Sequence, residues 1–328
     1  MPYGANYKRQ ESLMKKVTEQ CFLITAAVIT LFITPSLARG EEESLLHRDT
    51  LVAFHIINSP KDPGVSWLLT NWLSQIKASK KFLPEQKHAF SDLFKIMPKD
   101  IEGGIINKDI LVIIAPVPSN SNTLKDALFK IIKKIKPLEK FNYKEYKGYY
   151  RADETKLRLS GFAVSENYVI LTSNSGYIKQ TVDILKGKKQ RLSDDSRYEE
   201  IMALLPSKSD ITLFANNKDR GFSKVLKEWE KQWKMTVFLS APYLDSMGLS
   251  FDVIDGDKIK GVFIFKCLQK EKIPDVLDDA KFLGEVFRRK FAKEKIKYTS
   301  NVTLKNDFVF LDLEASGLKP LWVKLFNQ

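Results

Sequence analysis

Apolar residues recur along this chain in two rhythms. Leu51–Ile57, Ile101–Ile106, Ile110–Val117, Lys144–Arg151, Lys156–Val164, Asn167–Ser173, Ile211–Ala215, Leu249–Val253, Lys258–Cys267, Lys295–Leu304 and Phe308–Leu313 have the length and alternation of strands. Trp67–Ala78, Glu85–Ile96, Leu124–Ile135, Gly176–Leu185, Phe222–Val237, Ile273–Phe291 and Leu318–Phe326 carry their apolar residues at helical spacing. The clearest case is Leu124, Ala127, Leu128, Ile131, Ile132 and Ile135, which form one stripe, with Lys125, Lys130, Lys133 and Lys134 off it. Gly187 closes the helix that starts after Ser173 or Ser175. Asp255-Gly256 and Lys305-Asn306-Asp307 have the composition of hairpin turns.

The order of these elements suggests a repeat. Strand, helix, two strands, helix and a hairpin occur twice, and each series opens after a Leu-Leu pair, Leu45-Leu46 and Leu204-Leu205. The expected fold class is α+β, with two similar tandem halves in a β-α-β-β-α-β-β-α order. Each half is expected to be a mostly antiparallel sheet packed by helices. The expected boundaries are 1–38, 39–190 and 191–328, and the polar run from 186 to 200 reads as the connection between the halves.

Residues 21–38 (CFLITAAVITLFITPSLA) carry no charge, and Lys8, Arg9, Lys15 and Lys16 precede them. This is the plan of an export signal. Ser36 and Ala38 are placed as the small residues of a cleavage site. The unbroken apolar run, Cys21–Thr34, is short for a spanning helix, which needs about 20 residues. An uncleaved anchor is the alternative. Met14 before Lys15-Lys16 is a second candidate start. With the leader removed, Cys267 is the one remaining cysteine, so an exported chain would rely on its core rather than on disulfides.

Composition then narrows the partners. The chain has 328 residues with 53 Lys+Arg against 40 Asp+Glu, a net charge of +13. Without residues 1–38 the balance is 49 against 38, or +11. Lysine outnumbers arginine 43 to 10, whereas nucleic-acid recognition leans on the bidentate arginine. Nucleic acid is therefore not an expected partner. The basic concentrations provide candidate contacts to an anionic surface: Lys130, Lys133 and Lys134; Lys188, Lys189 and Arg191; Arg288 and Arg289.

A stretch from Gly161 to about Asn216 carries a resemblance. It contains GFAVSENYVILTSNSGYIKQTVDILKG, then LSDDSRY and LLPSKSDITLFAN. With Leu-Leu-x-x-Asp-Thr before the first strand, and more weakly Ser246–Cys267, it resembles the exported bacterial proteins of the domain of unknown function 3352 family. The resemblance implies an exported, duplicated α+β protein. It brings no catalytic residue with it.

Motifs that would carry chemistry are few. Gly187-Lys188 lacks phosphate-loop spacing, NSGYI is not a nucleophile elbow, and DVIDGD lacks the distal Glu of a calcium loop. His55 sits in phase with Leu51, Ala53 and Ile57 as a core histidine would, and His47 and His88 lie in polar surroundings. The pairs Trp67/Trp72 and Trp229/Trp233 read as core packing, with an aromatic groove as the sharper reading. No catalytic residue, cofactor or metal is expected. The expected function is an exported cell-envelope binding or scaffold module. Its partner would be an envelope protein, an anionic envelope polymer or lipid, with membrane association through residues 21–38. The alternatives are a hydrolase-like enzyme, with His55 or Asp252 in a cleft between halves, and a carrier of an apolar ligand.

Overall fold

The structure is a computed structural model. It describes residues 44–57, 70, 73, 74, 77, 84–96, 100–106, 110–117, 121–132, 138–151, 160–207, 209–233, 238–254 and 256–320. Several expectations lie outside these residues: the leader with Ser36 and Ala38, most of the 67–78 helix with Trp67 and Trp72, Lys133 and Lys134, the Trp229 and Trp233 side chains, and most of the last helix.

The strands are β1 (Thr50–Ile57), β2 (Asp100–Ile106), β3 (Ile110–Pro116), β4 (Leu138–Tyr143), β5 (Tyr146–Arg151), β6 (Gly161–Val164), β7 (Tyr168–Thr172), β8 (Ile211–Asn216), β9 (Leu244–Ile254), β10 (Lys258–Cys267), β11 (Lys297–Lys305) and β12 (Phe308–Ser316). The helices are α1 (Pro84–Ile96), α2 (Ser121–Ile132), α3 (Ser175–Leu185), α4 (Ser196–Leu204), α5 (Gly221–Trp233) and α6 (Ile273–Lys293).

The expectation of two tandem halves, each with a sheet of its own, is overturned. Among the described residues all twelve strands form one antiparallel sheet, ordered β11-β12-β10-β9-β8-β1-β2-β3-β7-β6-β5-β4. β1 and β8 pair in its middle, from Val52↔Ala215 to Ile56↔Ile211. The 190/191 boundary therefore divides nothing in the sheet. The 186–200 run is not a loose connection either: Leu192 is fully buried, and a short 3-10 turn there leads into α4.

Strand patterning follows from what covers each face. In β3, Leu111, Ile113 and Ala115 pack with Leu124, Ala127 and Leu128 of α2, whereas Val112 and Ile114 pack with Ile178 and Val182 of α3. Helices cover both faces, so the strand is apolar at nearly every position. β12 alternates instead. Val309, Leu311 and Leu313 pack under Val276, Ala280 and Leu283 of α6, while Asp312 and Glu314 are exposed. The same alternation sorts the other helices. Ala89 of α1 and Phe222 of α5 lie on the α2–α6 side, and Ile201 of α4 lies on the α3 side. α4 sits close to the sheet. A Cβ at Gly248 of β9 would come within 2.4 Å of Ile201 Cγ2, so this close approach requires glycine.

The single strand expected at 144–151 is a hairpin, β4–β5, turning at Lys144 with φ 54°. β4 escaped the hydrophobic pattern because it is an edge strand that buries only Phe141, between the exposed Lys140 and Asn142.

Candidate functional site

The basic concentrations do not form one surface. Lys130 is exposed on α2 and Arg288 and Arg289 are exposed on α6, all on the sheet face opposite α3. α2 lies over β6 and α6 over β12. Those strands are eight positions apart in the sheet, about 38 Å at ordinary strand spacing. Arg288 also pairs with Glu285.

Lys188, Lys189 and Arg191 do come together, with two residues the charge count overlooked. Helix α3 ends in a Schellman motif. Gly187 at φ +69° donates its N–H to Ile184 O at 2.9 Å, and Lys188 N–H donates to Asp183 O at 2.8 Å. The chain thus turns sharply, and Lys188, Lys189 and Gln190 are exposed. Residues 190–192 then run antiparallel to residues 46–48. Leu192 N–H donates to Leu46 O at 2.8 Å, Arg48 N–H to Gln190 O at 3.4 Å, and His47 bridges to Arg191. Leu46 and Leu192 are buried beneath, and a cationic seam stands above them.

The seam's groups can be placed individually. Arg48 Nη1 donates to Gln190 Oε1 at 2.9 Å, while its Nε is buried without an acceptor. His47 Nδ1 accepts from Asp49 N at 3.1 Å, which suits the neutral imidazole, and lies 3.6 Å from Asp49 Oδ2. Burial pushes His47 below the usual histidine range. The Asp49 carboxylate pulls it back, and the Lys189 charge adds to the push. Asp194 accepts the Arg191 N–H at 2.8 Å. Lys188 and Lys189 form no ion pair among the described residues. Arg48 and His47 carried no sequence signal beyond the polar triplet His47-Arg48-Asp49, because their partner segment lies 142 residues away.

His55 is half-buried rather than a core histidine, with Nε2 3.2 Å from Asp100 Oδ1. Asp252 Oδ1 accepts from Asp210 N at 3.3 Å. The two do not touch. Ser246 stands opposite Lys266 in the β9–β10 register, an arrangement that would suit a serine–lysine dyad. Ser246 is fully buried, however, and its Oγ has no partner. Burial favours neutral Lys266, yet hydrogen bonding to Glu200 and the charges of Asp245 and Glu200 raise its pKa above the usual lysine value. Among the described residues no cluster of His, Cys, Asp and Glu is placed to hold a metal ion, and no helix is long and apolar enough to cross a membrane.

Cys267 is buried at the end of β10, and burial, with the Asp307 charge behind it, pushes its thiol up to about 11. The thiolate is the reactive form, so alkylation by iodoacetamide at pH 8 should be at least about tenfold slower in the folded chain than after denaturation. Equal rates would show an accessible, activated thiol instead.

A second exposed feature is apolar. Leu239, 75 % exposed, projects from a turn next to Tyr243 and Leu268, whose N–H donates to Tyr243 O at 2.8 Å. Asp279 of α6 accepts from Ser240 N and Oγ at 2.6 and 2.7 Å, and the exposed Phe282 lies one turn further along that helix.

No family model matches this chain, and comparison with curated proteins and with solved structures found no match.

Proposed function

We propose that this chain is an exported cell-envelope protein, periplasmic or extracellular, that works as a non-enzymatic binding or scaffold module on an anionic surface. The observation that carries this reading is the seam, where Arg48, Lys188, Lys189 and Arg191 gather from two distant segments on a rigid base of buried leucines. Lys188 and Lys189, exposed and without an ion pair among the described residues, direct their field at an external anion. The uncharged segment 21–38 with its basic flank supports export, by cleavage or as an anchor.

The test is retention of the full chain on an anionic polymer matrix. K188E/K189E should weaken retention by at least about tenfold, since each basic residue near an anionic surface contributes about 1 kcal/mol. R288E/R289E, on the opposite face, should change it far less. Equal losses in the two variants would reduce the effect to net charge, and no loss in either would remove the reading.

A further inference from the structure

We propose that the seam recognises phosphate esters, with the Arg48 guanidinium and the Lys189 ammonium as the principal donors and Lys188 and Arg191 beside them. This deepens the envelope-surface reading and rests on it. Charge is the first argument. Four cations, Arg48, Lys188, Lys189 and Arg191, stand with two carboxylates, Asp49 and Asp194, and Asp183, whose charge reaches Lys188, is offset by its ion pair with Lys144, which leaves an excess of two positive charges. Asp194 is already engaged by the Arg191 backbone. A phosphate monoester carries about 1.5 to 2 negative charges near neutral pH, which matches this excess, whereas a carboxylate carries one.

Donor geometry is the second argument. Gln190 Oε1 takes one N–H of Arg48 Nη1 and holds the guanidinium plane; Nε is buried, so the remaining Nη1 and Nη2 N–H groups are the donors left for a ligand. A guanidinium fixed at one corner with donors to spare suits bidentate recognition of an oxyanion. The lysines come from the segment across the bridge, so the donors are supplied by two segments. A tetrahedral group with three free oxygens offers more acceptor positions to such an arrangement than a planar carboxylate does. The neutral His47 leaves the site without a competing internal cation–carboxylate pair at its centre.

The experiment titrates the full chain by calorimetry with inorganic phosphate, with acetate at equal ionic strength as control. A second arm measures co-sedimentation with phosphatidylcholine vesicles with and without phosphatidic acid. Saturable phosphate binding is expected, with acetate inert. R48K and K189Q should each weaken it about tenfold or more, because the first loses the planar bidentate fork and the second a charge-assisted contact. Lys189 is exposed, so K189Q tests the site without disturbing the fold. Tighter binding to the phosphatidic acid vesicles than to inorganic phosphate would make a lipid headgroup the source, and the reverse order a soluble or polymeric phosphate; either supports the site. Binding of acetate as strong as that of phosphate, or wild-type phosphate binding by both variants, overturns it. If K188E/K189E still loses the anionic matrix while phosphate does not bind, the envelope-surface reading stands and only the phosphate assignment falls.

Discussion

Replacing Asn217 with alanine should lower unfolding stability by about 3 to 4 kcal/mol, read as a fall in the urea midpoint at unchanged slope. Asn217 follows β8, is buried, and uses every polar atom of its side chain. Nδ2 donates to Ala241 O at 3.0 Å and to Leu244 O at 2.6 Å. Oδ1 accepts the Ser223 N–H at 2.9 Å, and Ser223 Oγ lies 2.9 Å from Oδ1 and 2.7 Å from Ala241 O, so its one proton serves one of them. Alanine would strand the Leu244 carbonyl and the Ser223 N–H, and leave Ala241 O to Ser223 Oγ alone. Each costs about 1 to 3 kcal/mol, and their shared surroundings keep the sum below simple addition. Asn217→Asp should be as damaging, since it aims an oxygen at two carbonyls and buries a charge. The turn that carries Leu239 hangs on this residue and on Asp279. Proteolysis at residues 238–243 should therefore accelerate in the variant before global unfolding. An unchanged midpoint would show that water satisfies these groups as well as Asn217 does.

Much of the fold was legible wherever local physics decides it. The α6 stripe, the Gly187 stop and the hairpin turns at Gly256 (φ +71°) and Asn306 (φ 55°) all stand where composition placed them. What periodicity could not show was pairing at a distance. β1 and β8 are joined by Val52↔Ala215 and Ile56↔Ile211, and nothing in either strand's own alternation names its neighbour. Two series of elements therefore read as two halves with separate sheets, although the chain continues one sheet through them. β4 was missed because a mostly exposed edge strand has little hydrophobic signal to give.

The same limit applies to the site. Lys188, Lys189 and Arg191 stood out as a run of charge, but charge alone cannot assign a sheet face. It grouped them with Lys130, Arg288 and Arg289, which lie on the other side. Arg48 became visible only when the bridge from His47 to Arg191 closed a loop of more than 140 residues. The exposed run, the helix stop before it and the buried Leu192 after it together explain why that segment is held rigidly enough to present its cations.

Asp245→Ala should cost about 2 to 3 kcal/mol, the second-largest effect expected here. Asp245, on β9, lies under the first turn of α4, where its Oδ1 accepts from Arg197 Nε at 2.7 Å and its Oδ2 lies 3.4 Å from Lys266 Nζ. Asp195 caps α4 by accepting the Arg197 N–H at 3.0 Å, stands 3.5 Å from Arg197 Nη1, and accepts from Asn216 Nδ2 at 3.4 Å. Glu200 pairs with Lys266. Three carboxylates thus hold two cations, and losing Asp245 leaves each cation one partner. That residual pairing, with partial exposure of Arg197 and Lys266, is why the cost falls below that of orphaning a fully buried charge. Hydrogen bonding to Asp245, with its charge, raises Arg197 above the usual guanidinium value, and Lys266 is also raised. A raised folded-state pKa supplies stability that is complete below the unfolded value and is lost as pH rises through the folded one. The Lys266 contribution should therefore hold through neutral pH and fade only above about pH 10.5. Ser246→Ala, between Asn216 and Lys266 in the strand register, should by contrast be neutral or stabilising, because it removes a buried hydroxyl that has no partner. Denaturant melts of the two variants side by side would separate a structural network from a catalytic one. A destabilised S246A with an intact D245A would show that the buried serine, and not the ion pairs around it, organises this part of the sheet.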